Sequence, residues 1–244
     1  MRIYIGFDDT DVVGASRGTG KLARWFCEQL PDNVSLIGVV RQQLPRLPGI
    51  PFTSNNSSAC VIVNVPDTMV PRISTIQEEF IESAIRHLEK HFIYGSDPGL
   101  CVTTFDNPAV PNLIAFGRKA CTKIVTQKEA IAAAKGAHLS AHGGTSDGII
   151  GAAAGVGLTI SGWSGRFIEF GDLRSFGDAV TVGDLQKAGI LVLSIDRDAL
   201  VPGPNDIVDT RGWLRPRLWG DRPVLPVRNT GPGHWQSIAG KRKE

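Results

Sequence analysis

Two periods of apolar and polar residues run along this chain, and the switches between them mark out its elements. RIYIGF (2–7) is a short apolar run that reads as a strand. Over 18–30, Leu22, Ala23, Phe26 and Leu30 share one face at helical spacing. VSLIGVVR (34–41) and SACVIVNV (58–65) are rich in β-branched residues and predict strands. Between 73 and 92, Ile73, Ile76, Phe80, Ile81, Ala84, Ile85, Leu88 and Phe92 recur at three and four, the clearest helix in the chain. LCVTTF (100–105) predicts a fourth strand. The order is β-α-β-β-α-β, the ferredoxin-like pattern.

Two prolines in FDNPAVPN (105–112) suggest a boundary. Beyond it, residues 113–136 read as helical with a break near Thr126, and GIIGAAAGVGL (148–158) as a tightly packed helix of small residues. RFIEF (166–170), ILVLSI (190–195) and PVLPV (223–227) are strand candidates. The expected fold class is α+β: two small α/β sandwich domains, 1–107 and 108–230, with a basic tail over 231–244. No period indicates a solenoid.

Composition narrows the class. Of 244 residues, 42% are hydrophobic and 20% charged, which suits an ordinary packed core. No stretch approaches the roughly 18–20 apolar residues of a membrane span, so no membrane partner is expected. The N-terminus turns acidic at Asp8, unlike a signal peptide. Cys27, Cys60, Cys101 and Cys121 are far apart and form no CxxC pair, which argues against a zinc ribbon. They read as reduced thiols of a cytoplasmic protein. The net charge of +2 is uneven: residues 211–244 carry +6 and residues 1–210 carry −4. A basic end on an acidic body suggests an anionic partner, though Lys241–Lys243 alone reads as a solvated tail.

The candidate chemistry begins where the first strand ends. In IGFDDTD (5–11), Asp8, Asp9 and Asp11 are crowded together. At about 5 Å and an effective dielectric near 20, each like-charge pair costs roughly 3 kcal/mol. A bound cation such as Mg²⁺ is the leading candidate to offset that cost. GASRGTGKL (14–22) is not a Walker loop, because Ala15 stands where glycine is needed and Leu22 follows Lys21. Its glycines still precede a helix, whose exposed N–H groups favour phosphate; a capped flexible loop is the equal alternative. His138 and His142 lie four apart, as on one helical face, but without the Glu of HExxH, so an ordinary surface role is expected. GIIGAAAGVG (148–157) lacks GxGxxG and suggests close helix packing, with glycines that also permit a ligand's approach. RGWLRPRLWGDRP (211–223) interleaves arginines, which can contact phosphate, with tryptophans, which can stack on bases. The preferred expectation is that the tryptophans anchor a strand in the core while the arginines face water.

Several of these stretches, in order, resemble the tRNA(Ile) agmatidine synthetase family. IGFDDTD is similar to that family's opening strand and G-(I/F)-DDTD. LPRLPGIPFTSNNSSACV (44–61) is similar to its R-L-N-P-N-I-P segment, polar loop and strand. SDPGL (96–100) is similar to its acidic DPG turn, and DGIIGAAAGVG (147–157) to its RGIIGALAAIG-like helix. LRPRLWGDRPVLPVRN (214–229) resembles the segment around APHGPDPVLFGIRG. The resemblance implies a kinase-like nucleotide- and Mg-binding domain over 1–107 and a ferredoxin-like domain over 108–230. The family's OB-fold and zinc ribbon have no counterpart in these residues.

The resemblance implies ATP and Mg²⁺ as cofactors: ATP phosphorylates a cytidine carbonyl oxygen of the tRNA, and the amine of agmatine displaces the phosphate. Asp8, Asp9 and Asp11 then hold Mg²⁺ on the triphosphate and, with Thr19, form the catalytic set. Gly18, Gly20, Lys21, Asp97, Gly99, Gly148 and Gly151 bind the nucleotide. Asp97 and Gly148 are expected to face one cleft with Asp8. There are departures. Thr19 matches one of the family's paired threonines only with a one-residue insertion, and Gly20 replaces the second. TSNNSS (53–58) replaces a basic loop, and Asp147 replaces a basic residue. Two readings stay open. One is an ATP-dependent kinase- or ligase-like transferase acting on a small molecule or a tRNA, with or without an amine co-substrate. The other is a nucleotide- or RNA-binding module without turnover.

Overall fold

Strand β1 (Arg2–Asp8) is apolar without alternation because both its faces are buried. In the computed structural model, which describes residues 1–50, 52–53 and 55–238, it is the central one of the five strands in the first compact unit. The basic tail at 241–243 lies outside the described residues. Antiparallel neighbours flank β1: β3 (Ser57–Asn64) on one side and β4 (Gly99–Thr104) on the other. β2 (Ser35–Gln43) extends the sheet beyond β3, and β5 (His138–Ala141) beyond β4.

Adjacent residues of β1 face opposite layers. Phe7 meets α1 (Thr19–Cys27) and α2 (Ile73–His91): its ring is 5.5 Å from Phe26 and 6.4 Å from His87. His87 is locked there, its Nε2 3.0 Å from the Leu22 carbonyl and its Nδ1 2.8 Å from Gln29 Nε2. Burial pushes its pKa down, which favours the neutral ring. Gly6 faces the other layer, built from α3 (Val110–Ala120), α4 (Gln127–Ala133) and α5 (Gly148–Ile160). The small residues of α5 set that layer's spacing. A Cβ on Gly157 would lie 1.9 Å from the Leu113 carbonyl oxygen, and one on Gly6 2.8 Å from that of Ala152. The expected break near Thr126 is a capping box: the Thr126 hydroxyl accepts from Glu129 N at 3.3 Å, and the Glu129 carboxylate accepts from Thr126 N at 2.8 Å.

Because α3 to α5 fold back onto the same sheet, the first compact unit runs from Met1 to Ser161. Residue 107, the expected boundary, falls inside it, in the turn from β4 to α3. The second unit, from Gly162 on, is sheet-rich. Its strands β6 (Arg166–Glu169), β7 (Ala179–Thr181), β9 (Ile207–Asp209), β10 (Arg217–Trp219), β11 (Arg222–Gly231) and β12 (His234–Ser237) follow the order β6-β10-β11-β12-β9-β7. β8 (Leu191–Ser194) runs parallel to β11, and α6 (Val182–Lys187) follows β7.

Two sequence expectations are corrected. HLSAH is not helical: His138, Ser140 and His142 alternate along β5 and its end, and both Nε2 atoms meet Ser140 Oγ, at 2.9 and 2.8 Å. Nor do both tryptophans sink into the core of the second unit. Leu214, Pro216 and Leu218 are buried, whereas Trp213, Arg215, Arg217 and Trp219 occupy the alternate positions and are half-buried. Strand alternation, not side-chain size, decides which residues go inside. Among the described residues no helix is long and apolar enough to cross a membrane.

Candidate active site

The three aspartates leave the sheet together. Asp8 is the last residue of β1, and at Asp9 the chain turns through the left-handed region with φ 49°. That turn sends consecutive carboxylates in different directions. Asp8 points at α5: a Cβ on Gly151 would come within 1.7 Å of its Oδ2, so only glycine leaves room there. Burial, then the Asp9 and Asp11 charges, push the Asp8 pKa up to about 8. Burial, then Asp97, push Asp9 up to about 6. Asp11 is raised by burial, offset by the Thr53 hydroxyl, which donates to its Oδ2 at 3.3 Å, and by the Thr19 backbone. Burial is the largest cause at all three, and neighbouring carboxylate charge adds to it at Asp8 and Asp9.

Asp97 comes to the aspartates from the turn before β4. Its N–H donates to the Asp9 carbonyl at 3.1 Å. Its carboxylate accepts from the N–H groups of Thr145, Ser146 and Asp147 at 3.0, 2.9 and 3.3 Å and from the Thr145 hydroxyl. Burial opposes ionisation, but the hydroxyl and the N–H groups outweigh it and hold the carboxyl below its usual range. Asp97 thus fastens the entry to α5. Gly99 and Gly148 let the two segments touch, since a Cβ on Gly148 would lie 2.0 Å from the Asp97 carbonyl oxygen. Asp97, Gly99, Gly148 and Gly151 are accordingly assembled with Asp8 and Asp9 in one unit. Asp97 acts there as an anchor for the loop.

On the Asp11 side lies a polar pocket of ≈ 220 Å³ lined by Asp11, Gly18, Thr19, Gly20, Lys21, Arg41, Thr53, Asn55 and Ser57. It sits at the start of α1, whose N-cap, Gly18, offers no side-chain cap. Thr19 is almost fully buried, and its Oγ1 accepts from Thr10 Oγ1 at 3.1 Å. Lys21 is exposed, its ammonium 5.1 Å from the Trp25 ring. Arg41, whose Nε donates to Ser57 Oγ at 2.9 Å, is a pocket residue that sequence reading missed. It lies in a strand-like run, and only the pairing of β2 with β3 turns it towards Ser57. Thr53, Asn55 and Ser57 come from the polar stretch TSNNSS (53–58).

Among the described residues no group of three His, Cys, Asp or Glu is arranged to hold a metal ion unaided. Magnesium needs only one or two carboxylates when substrate phosphates supply other oxygens. One or two of Asp8, Asp9 and Asp11 would meet that need, and Asp11 itself lines the pocket with Lys21, Arg41 and the start of α1.

The fold over part of the chain also has counterparts among solved structures. The chain resembles TiaS, an isoleucine-tRNA agmatidine synthetase. Against apo TiaS it has a TM-score of 0.50 and 25% identity over 64% of this chain and 35% of that one. Against TiaS in complex with its tRNA and ATP the TM-score is 0.51, at 25% identity over 64% and 36%. A tRNA fluorescent labeling enzyme gives 0.50, at 26% identity over 64% and 36%. The chain thus spans about a third of the length of these proteins. No protein-family model matches the chain, and no curated protein matches it in sequence.

Proposed function

We propose that this chain is an ATP- and Mg²⁺-dependent phosphoryl-transfer enzyme that activates a carbonyl or hydroxyl oxygen of a small molecule or of a tRNA cytidine. The observation that carries the reading is that one short acidic stretch puts Asp8 against Gly151 of the glycine-rich helix and Asp11 in the polar pocket at the start of α1. The TiaS likeness, which includes a complex with ATP, supports it.

In this reading Asp8, Asp9 and Asp11 hold Mg²⁺ on the triphosphate. Bound there, the cation supplies charge neutralisation for the transferred phosphoryl group. The chain's own residues position the reactants. The N–H groups opening α1 at Gly18–Gly20, with Lys21 and Arg41, offer donors and positive charge to phosphate oxygens. Thr19, tied to Thr10, holds the first turn of α1 against the strand end. Asp97 keeps the entry of α5 in place, so Gly148 stays against the Asp97–Gly99 turn and Gly151 against Asp8. The small pocket and the altered polar loop favour a small acceptor, with an amine as the second substrate.

Calorimetric titration of ATP, with and without Mg²⁺, tests the proposal on the wild type and Asp9→Asn. The wild type should bind Mg-ATP, and the variant should lose the Mg²⁺-dependent part while melting normally. Equal affinity in both proteins under both conditions would overturn it.

A further inference from the structure

Away from the aspartates, the second unit holds two like charges face to face. β6 and β10 pair antiparallel with Arg217 opposite Arg166. The flanking backbone bonds run from Phe167 N to the Pro216 carbonyl at 2.8 Å and from Leu218 N to the Gly165 carbonyl at 3.2 Å. Arg217 and Arg166 are therefore a non-hydrogen-bonded pair, the kind in which Cα atoms lie about 4.5 Å apart and side chains are closest. Like charges so placed destabilise a sheet. Among the described residues neither guanidinium has a carboxylate partner. Arg217 Nε is buried and lacks a hydrogen-bond acceptor. Burial, then Arg217, push the Arg166 pKa down, which agrees with the crowding.

The same strand face supplies an aromatic surface. Two residues after Arg217 comes Trp219, with the Arg217 guanidinium 5.0 Å from its ring centroid. Opposite Trp219 across β11 stands Arg222.

We propose that Arg166 and Arg217 clamp the phosphate of a nucleotide, with the Trp219 indole beside its base. An oxyanion between the guanidiniums would remove their repulsion and give the buried Nε its acceptor. An indole two residues along the strand suits the base that accompanies a phosphate in every nucleotide. The ligand chemistry is a phosphate flanked by a base, carried by a free nucleotide or by one residue of a single strand. This site belongs to the second unit and the aspartates to the first, so it stands whether or not those bind ATP.

The test uses the full chain and three probes: inorganic phosphate, uridine 5′-monophosphate, and a short labelled oligo(U) RNA, which has no base-paired structure. Binding of whichever nucleotide probe the wild type takes should weaken by roughly tenfold in Arg166→Ala and in Arg217→Ala. Arg217→Lys, which keeps the charge but loses the planar fork and Nε, should also weaken it, and it decides the matter if Arg217→Ala does not fold. Trp219→Ala should weaken the nucleotide probes and leave inorganic phosphate unchanged. Arginine-dependent binding of the mononucleotide assigns a free nucleotide. Arginine-dependent binding of RNA alone, with its salt slope reduced by about 0.7 for the lost contact, assigns a strand. The Mg²⁺-dependent part of ATP binding, which belongs to the aspartates, should persist in these arginine variants, and that separates the two sites. Failure of every probe to bind the wild type, or binding indifferent to both arginines, would overturn the proposal.

Discussion

At the scale of single residues, the buried aspartates make stability depend on pH. In the unfolded chain Asp8 ionises near its ordinary value of 3.8, whereas in the fold it keeps its proton up to about 8. Between those values the native state holds the extra proton, so stability falls as pH rises through that window and levels off above it. Asp9, raised to about 6, adds to the same trend. Asp8→Asn should therefore gain stability over the wild type, more at pH 8 than at pH 5, in urea titrations of the ligand-free protein. An equal difference at both pH values would contradict the burial argument. Ser58 gives a second residue-scale expectation. Its side chain is fully buried on β3, and its hydroxyl has no hydrogen-bond partner. Ser58→Ala removes an unpaired polar atom, so it should be neutral or stabilise by about 1 kcal/mol. A loss of stability on thermal melting would mean that the hydroxyl has a partner in solution.

At the scale of elements, α5 shows why a run of glycine and alanine is a helix here. Its glycines cost backbone entropy, and the close packing they allow against β1, β4 and α3 offsets it. Gly157→Ala would press a methyl group into the Leu113 backbone and should destabilise the protein by about 1–3 kcal/mol or more. Gly18→Ala, where the added carbon would sit 3.5 Å from Asp11 Oδ2, meets only ordinary contacts and should cost far less. Comparing the two midpoints in urea checks the packing account, and similar losses would refute it. The longer elements were legible in the sequence for a physical reason: β1, β3, α2 and α5 each show an uninterrupted apolar run or a helical repeat. The short ones were not. β5, β7, β9 and α6 have three to six residues each, too few to show a period, and HLSAH reads equally well at spacing two or four.

At the scale of the whole molecule, the first unit carries five strands, two helical layers and all of the candidate active site. Residues 1–161 expressed alone should unfold cooperatively and bind Mg-ATP about as the full chain does; a chain that stays unfolded by circular dichroism would show that the unit depends on the residues after Ser161. What the sequence by itself determined was local: the β-α-β-β-α-β order, the helix of small residues, the capping break near Thr126 and the crowding of Asp8, Asp9 and Asp11. Each rests on neighbours a few positions apart, whose spacing fixes which face they share. Only the tertiary structure decided that Asp97 lies against Asp9, that Gly151 makes room for Asp8, that Arg41 reaches the pocket and that Arg217 faces Arg166. Those pairings join residues tens of positions or more apart, and they follow from strand register and layer packing, which the whole chain settles at once and no short stretch records.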